Sequence, residues 1–323
     1  MLLSVVVPCY NEQDVLRATH ERLTSVLAGM STLDYELIFV NDGSHDNTQS
    51  ILIQLQLIDP HVRVLLLSRN FGHQVAVTAG LEEASGDAVV IIDADLQDPP
   101  EVIPQMVQLW RDGNDVVYGL RTDRKGESTF KLWTAKVFYR LINRLSETKM
   151  PFDAGDFRLL DRRVVEVINA MPERARFLRG MVSWAGFRQV SLPYERAARH
   201  AGASKYPLAK MVRFAMDGII SFSLVPLKVA IWTGFLAIWI AVAGIIVAVI
   251  DRLMDKHLTR GWASLFVAVL FMGGVQLVSL GIIGEYLGRI YTEVKRRPLY
   301  VVQERLGFAT SKKPKREEVN AVV

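Results

Sequence analysis

Short, uninterrupted apolar runs alternate with amphipathic stretches through the first part of the chain. The apolar runs are Leu2–Val7, Leu37–Val40, Val62–Leu67, Ala88–Ile92 and the shorter Val116–Tyr118. Continuous apolar runs of this length indicate strands that are buried on both faces of a sheet. The amphipathic stretches between them are Glu12–Met30, Thr48–Leu57, Gly72–Ala84 and Pro100–Trp110. This alternation predicts an α/β domain with a doubly wound, mostly parallel sheet.

Two much longer apolar windows follow. Val229–Ile250 contains 22 residues without a charge, and Gly261–Gly284 contains 24. A helix needs about 20 apolar residues to cross the hydrocarbon core of a bilayer. We therefore predict two transmembrane helices, at about 228–250 and 262–285, and the alternative is a pair of helices buried in a soluble core.

The flanks of these windows predict the topology. Asp251–Arg260 is too short to be more than a loop, so the spans form a hairpin with both ends on one side. Ser4, Pro8 and Asn11 interrupt any apolar segment that could form the core of a signal peptide, which argues against one. Basic residues flank the hairpin at Lys205, Lys210, Arg213, Lys228, Arg289, Lys295, Arg296 and Arg297. The positive-inside rule then predicts a multi-pass membrane protein with the α/β domain and both termini cytoplasmic.

The remaining segments complete a four-part organisation. Pro207–Ser223 has apolar residues on one helical side and predicts an interfacial amphipathic helix, with a core-facing soluble helix as the alternative. Phe130–Leu145 carries several basic residues and indicates a solvated helix face more than a membrane contact. The predicted parts are a domain at 1–204, juxtamembrane helices at 205–227, the hairpin at 228–287 and a basic tail at 288–323.

Composition and charge agree with this organisation. The 323 residues are 50% hydrophobic with a mean hydropathy of +0.20, an excess that the two windows explain. The net charge of +4 is too small to indicate a nucleic-acid partner. Cys9 is the only cysteine, which excludes an intramolecular disulfide and fits a reducing compartment.

Polar residues follow four of the predicted strands. They are Pro8–Glu12, Asn41–Ser44, Ser68–Gly72 and Asp93–Asp98. Ligands of doubly wound sheets bind beyond the carboxyl ends of the strands. The chemistry of this chain is therefore expected in these four segments.

Asp93 and Asp95 form the most informative pair among them. In extended chain, residues two apart share a face, and two carboxylates so close repel each other unless a cation lies between them. Mg²⁺ and Mn²⁺ prefer such oxygen ligands, and the alternative is a solvated acidic turn or helix cap. The chain has no G-x-G-x-x-G turn and no P-loop, and its six histidines show no metal-ligand spacing.

The motifs VVVPCYNE, FVNDGSHDNT, DADLQDPP and GDFRL resemble those of the inverting glycosyltransferases of family 2, which have the GT-A fold. Ala203–Tyr206 and the spans ending in GEYLGRIY narrow the resemblance to polyprenyl-phosphate glycosyltransferases. The bactoprenol glucosyltransferases look most similar. The resemblance covers roughly residues 1–305.

The resemblance implies a role for each matching position. Residues expected to bind the nucleotide sugar are Pro8, Tyr10, Asn11, Glu12, Asp42 and Asp93, with Asp42 reading the base. Residues expected to hold Mg²⁺ or Mn²⁺ are Asp93, Asp95 and Gln97. Asp156 is expected near the acceptor and Arg121 near a phosphate. Residues expected to bind the acceptor phosphate are Arg158, Arg199, Ser204 and Lys205.

The implied reaction is the inverting transfer of one sugar, glucose from UDP-glucose, to undecaprenyl phosphate in a bacterial inner membrane. The product would serve later modification of lipopolysaccharide or another envelope glycan. The resemblance also implies a homotetramer. A phosphate nucleophile is already largely ionised at neutral pH, so two roles stay open for Asp156: a base or an orienting charge. Other donors of the mannose or aminoarabinose type, a non-catalytic nucleotide-sugar-binding subunit and a flippase are the alternatives.

Overall fold

The computed structural model describes residues 1–30, 32–121, 154–195, 225–253 and 262–308. Its described residues fall in two compact units. The sheet unit holds those up to residue 195 together with residues 298–308, and the hairpin unit holds residues 225–297.

A mixed sheet forms the centre of the sheet unit. Its strands are β1 (Leu2–Cys9), β2 (Asp34–Asn41), β3 (Val62–Leu67), β4 (Ala88–Ile91), β5 (Val116–Arg121), β6 (Ala154–Asp161), β7 (Gln189–Tyr194) and β8 (Val302–Leu306). Within the described residues their order is β7-β5-β6-β4-β1-β2-β3-β8. Strands β4, β1, β2 and β3 are parallel, and β5 is parallel to β7, whereas β6 and β8 run antiparallel to their neighbours. The predicted mostly parallel α/β sheet is confirmed.

Helices cover both faces of this sheet. They are α1 (Leu16–Ala28), α2 (Thr48–Ile58), α3 (His73–Glu83), α4 (Ile103–Arg111), α5 (Arg162–Ala170) and α6 (Leu178–Trp184), with a 3₁₀ turn at Pro100–Val102. Alternate residues of β1 enter different cores: Val5 and Val7 pack with α1, α2 and α4, while Val6 packs with α3, α5 and α6. Because both of their faces are buried, β1 to β4 are predominantly apolar instead of alternating.

Three strands extend the sheet beyond the five that the sequence predicts. β6 lies between β4 and β5, and β7 forms the edge beside β5. β8 lies in the stretch that the sequence assigns to a basic tail, and it pairs with β3 through Leu65 opposite Arg305. The chain therefore returns to its first sheet after the hairpin.

The hairpin unit contains two long helices, α7 (Val225–Leu253) and α8 (Trp262–Val294). Windows at Leu227–Gly244 and Ala268–Val294 have mean hydropathies of 1.8 and 1.7 and are long and apolar enough to cross a membrane. Only 6% and 0% of these windows are buried, which does not fit core helices of a soluble protein. The second helix runs nine residues past the predicted end at 285, where Arg289 pairs with Glu285 one turn away at 3.3 Å. The predicted helices at 207–223 and 130–145 lie outside the described residues.

Candidate active site

The carboxyl ends of the parallel strands gather at one edge of the sheet. Cys9 at the end of β1 is in register with Asn41 at the end of β2, and Asn41 is in register with Leu66 of β3. The segments after β1, β2, β3 and β4 therefore meet at this edge, where a doubly wound sheet binds its ligands.

Asn11 ties the first two of these segments together. Its backbone N–H donates to Ser44 Oγ at 3.0 Å, and its side-chain oxygen accepts from the N–H of His45 at 2.9 Å. Asn11 has a φ of 56°, a left-handed conformation that asparagine tolerates well. Tyr10 is exposed and its ring lies edge-on to His45, whereas Pro8 is buried in β1. Tyr10 thus offers a ligand an exposed ring, whereas Pro8 does not.

Asp42 is buried and holds the segment that follows β3. Its Oδ1 accepts from the N–H of Phe71 at 2.7 Å, and its Oδ2 accepts from the N–H of Gly72 at 2.9 Å. Gly43 has a φ of +64°, and a Cβ there would lie 2.4 Å from the carbonyl carbon of Arg69. Asp42 therefore shapes the loop at 68–72, while its predicted contact with a base stays a prediction.

Asp93 and Asp95 lie just beyond β4, as the sequence predicts. Asp95 Oδ1 accepts from the N–H of Gln97 at 3.2 Å. Burial raises the pKa of Asp93 to about 6, against the opposing effect of His73. Three neighbouring carboxylates add to the rise: Asp156, Asp98 and Asp95. This crowding of negative charge would be relieved by a bound cation.

The side chains around this pair suit a hard divalent cation. Asp93 and Asp95 offer carboxylate oxygens, and Gln97 offers an amide oxygen, the donors that Mg²⁺ and Mn²⁺ prefer. Across the described ranges, no group of three or more His, Cys, Asp or Glu side chains forms a ready cage. A cation here would therefore complete its coordination with substrate oxygens and water, as Mg²⁺ commonly does.

Asp156 on β6 is held on both of its oxygens. Arg179 Nε of α6 donates to Oδ1 at 2.8 Å, while His73 Nε2 and Gln74 Nε2 of α3 lie 3.4 Å from Oδ2. His73 Nε2 also lies 3.7 Å from Asp93 Oδ1, so it connects the two acids. Although burial acts to raise it, the charge of Arg179 and bonds from His73 and Arg179 hold the pKa of Asp156 well below its usual range. A carboxylate so acidic is a weak base.

The two described arginines of the predicted site differ in access. Arg158 is buried, and its Nη2 donates to the carbonyl of Gly155 at 2.9 Å. Burial lowers the pKa of Arg158 to about 10. Arg121 ends β5 with 26% of its side chain exposed and is the better placed of the two to meet a ligand. Arg199, Ser204 and Lys205 lie outside the described residues.

The structure adds residues to the site that the sequence analysis did not select. They are His73, Gln74, Arg179, Asp98 and Tyr194. His73 directly follows the polar segment after β3, so its position at the start of α3 was a usable signal. Arg179 carried no such signal, because it reaches Asp156 only through the packing of α6.

Models of two known families match two separate parts of the chain, one in the sheet unit and one in the hairpin unit. The sequence model of Glycosyl transferase family 2 matches residues 4–168, and that of the GtrB C-terminal hairpin matches residues 225–290. An uncharacterized glycosyltransferase of Bacillus subtilis, YkcC, is 48% identical over 94% of each chain. The SfII prophage-derived bactoprenol glucosyl transferase of Shigella flexneri is 43% identical over 94% of this chain and 98% of its own.

Among solved structures, a Mycobacterium tuberculosis glucosyl-3-phosphoglycerate synthase, in complex with Mn²⁺, UDP-glucose and phosphoglyceric acid, is similar. It is 22% identical with a TM-score of 0.47, over 68% of this chain and 77% of its own.

Proposed function

The chain belongs to glycosyl transferase family 2, and we propose that it transfers a single sugar from a nucleoside diphosphate to a polyprenyl phosphate in a bacterial membrane. The observation that carries this proposal is the joint presence of the acidic strand-end site and the apolar hairpin. The same two parts extend over nearly the full length of relatives named bactoprenol glucosyl transferase. Undecaprenyl phosphate is accordingly the proposed acceptor, and UDP-glucose is the proposed donor.

Asp93, Asp95 and Gln97 would hold Mg²⁺ or Mn²⁺ in this reaction. The cation would supply positive charge to the diphosphate leaving group. In this proposal, the nucleoside would bind beside exposed Tyr10 and the loop at 68–72 that Asp42 anchors.

Asp156 acts in this proposal as a fixed negative charge and not as a proton acceptor. The attacking oxygen belongs to a phosphate monoester with a second pKa near 6, so it needs little help to lose a proton. The low pKa of Asp156 suits a group that stays ionised. Attack from the face opposite the leaving group inverts the anomeric carbon, so an α-linked donor gives a β-linked lipid product.

The connectivity of the chain supports a cytoplasmic site at the inner membrane. β1 precedes the hairpin and β8 follows it, yet both belong to one sheet. A hairpin that crosses twice returns the chain to the side it left, as this sheet requires. We propose that this is the cytoplasmic side, where nucleotide sugars occur, and that both termini lie there.

The experiment incubates the purified full-length protein with undecaprenyl phosphate, a divalent cation and a panel of nucleotide sugars. The panel includes UDP-glucose and donors of the mannose and aminoarabinose types. Mass spectrometry of the lipid identifies the transferred sugar. Asp95→Ala is expected to abolish transfer, and Asp112→Ala, an exposed acid outside the site, is expected to retain it. Absence of any lipid-linked sugar with the wild type overturns the proposal, and full activity of Asp95→Ala overturns the metal assignment.

A further inference from the structure

Asp98 is a fully buried carboxylate three residues after Asp95, and the proposed reaction gives it no role. Asp98 has no solvent-exposed surface, and its Oδ1 accepts a hydrogen bond from the hydroxyl of Tyr194. Burying a carboxylate is costly unless charged or hydrogen-bonding partners compensate for it. Tyr194 and Arg121, at the ends of β7 and β5, are two such partners of Asp98.

Arg121 is the charged partner of this pair. Its Nε lies 3.3 Å from the Tyr194 hydroxyl, and its Nη2 lies 3.7 Å from Asp98 Oδ1. Arg121 and Tyr194 are the last residues of β5 and β7 and are in register across the parallel pair. The hydroxyl therefore lies between the two charged groups: it donates to the carboxylate of Asp98 and accepts from the guanidinium of Arg121.

The backbone around the three side chains leaves room for this arrangement. A Cβ on Gly119 would lie 2.6 Å from Cε1 of Tyr194, and a Cβ on Gly155 would lie 3.0 Å from Nη2 of Arg121. The Tyr194 ring also packs edge-on against Phe157, with ring centroids 5.6 Å apart. Ring and guanidinium are thus each fixed from more than one side.

We propose that Asp98 and Tyr194 are positioning residues that hold the Arg121 guanidinium for a phosphate group of the substrates, an inference that rests on the proposed function. A guanidinium is a planar fork of five N–H donors, and its orientation decides whether it meets phosphate oxygens in pairs. The contacts with Asp98 and Tyr194 fix one side of that fork, while part of the side chain stays accessible. The phosphate belongs to the donor diphosphate or to the lipid acceptor.

Tyr194→Phe isolates the hydroxyl, because it keeps the ring between Phe157 and Gly119. Without the hydroxyl, Asp98 can attract the guanidinium directly and turn the fork away from the phosphate. We expect kcat/KM for one phosphate substrate to fall about tenfold, the effect of losing one charge-assisted contact. Rates measured while UDP-glucose and undecaprenyl phosphate are varied separately show which phosphate is affected.

The matched control is Tyr35→Phe. It removes a tyrosine hydroxyl near the start of β2, at the opposite end of that strand from the candidate site, where the ring stacks on His61 with ring centroids 4.3 Å apart. Unchanged kinetics of this variant are expected. Thermal unfolding of both variants detects a loss of folding, and Asp98→Asn is the second variant if Tyr194→Phe unfolds.

A double-variant cycle separates positioning from a general structural effect. If Tyr194 acts through Arg121, adding Tyr194→Phe to Arg121→Ala causes no further loss. Full activity of Tyr194→Phe, or additive losses in the double variant, overturns the inference.

Calorimetric titration with UDP and with farnesyl phosphate makes the same comparison without turnover. An inactive wild type would refute the proposed function, whereas equal binding by wild type, Tyr194→Phe and Arg121→Ala would refute the positioning role.

Discussion

Arg179 Nε donates a 2.8 Å hydrogen bond to Oδ1 of Asp156, which joins the start of α6 to β6. Gln74 strengthens this connection, since its Oε1 accepts from the N–H of Leu178 at 3.1 Å while its Nε2 faces Asp156 Oδ2. Only 17% of the Asp156 side chain remains exposed. The carboxylate is thus oriented by α3 and α6 together, at the edge of the sheet where Asp93 also lies.

Replacing Arg179 by Gln is expected to make transfer sensitive to acid. Without the positive charge of Arg179, the pKa of Asp156 rises, because less opposes the effect of burying this carboxylate. The carboxylate then becomes protonated at a higher pH than in the wild type, so the deficit in kcat grows as the pH falls. The measurement is kcat from about pH 5.5 to 9. Arg179→Lys keeps the charge and is expected to stay close to the wild-type profile; parallel profiles for wild type and Arg179→Gln would contradict the prediction.

Gly43→Ala is expected to weaken donor binding through the loop at 68–72. The new Cβ would collide with the backbone of Arg69, and the φ of +64° adds strain, for a combined cost of roughly 1–3 kcal/mol. Gly113→Ala is the matched control, because its φ is +93° but a Cβ there meets nothing within 4 Å. Calorimetric titration with UDP should show weaker binding for Gly43→Ala alone. Equal affinities for the two variants would show that the collision does not reach the donor site.

The parallel part of the fold could be predicted because its strands are buried on both faces. Continuous apolar runs marked β1 to β4, and the segments after them contained the acids that the structure gathers. β6 was harder to predict, because Asp156 and Arg158 interrupt its apolar pattern and it runs antiparallel between β4 and β5. β8 was not predictable from hydrophobicity, since it is an edge strand with three exposed residues out of five.

Some residues of the candidate site could likewise be predicted from the sequence, and others could not. Asp93 and Asp95 follow a strand directly, so their position is a local property of the sequence. Arg179 and Tyr194 reach Asp156 and Asp98 across 23 and 96 residues of chain, and such contacts follow from packing alone. Sequence therefore supplies the acids of the site, and tertiary structure supplies the groups that orient them.

Asp161→Asn is expected to destabilise the sheet unit at neutral pH but not in acid. The Asp161 carboxylate caps α5 by accepting from the N–H of Arg163 at 2.9 Å, and it accepts from Trp110 Nε1 at 2.8 Å. Burial acts to raise the pKa of Asp161, but these bonds lower it overall. A lowered pKa in the folded state gives stability that is present above the ordinary carboxyl pKa of about 4 and is lost as the pH falls through the folded value.

The expected loss is about 1–2 kcal/mol near pH 7, and the difference from the wild type should shrink below about pH 4. Chemical unfolding of the full-length protein in detergent, followed at both pH values, measures it. Asp34→Asn changes a more exposed carboxylate, which accepts only from the N–H of Tyr35 among the hydrogen bonds described, and serves as the control. A deficit for Asp161→Asn that is independent of pH would contradict the assignment.

Removing β8 is expected to impair the donor site, although β8 follows the hairpin in sequence. β8 covers the edge of β3, and its Arg305 binds Glu83 of α3 through Nε at 3.0 Å and Nη2 at 2.9 Å. Just before β8, the carbonyl of Val301 accepts from the N–H of Ser68 at 2.9 Å. Ser68 begins the loop that Asp42 anchors, so loss of this edge should loosen that loop.

Truncation after Arg297 removes β8, whereas truncation after Phe308 retains it and serves as the control. We expect only the truncation after Arg297 to lower the unfolding temperature. The same truncation should raise the KM for the nucleotide sugar about three- to tenfold, because a few hydrogen bonds are lost. The role of β8 would be refuted if the two truncated proteins bound the nucleotide sugar equally well.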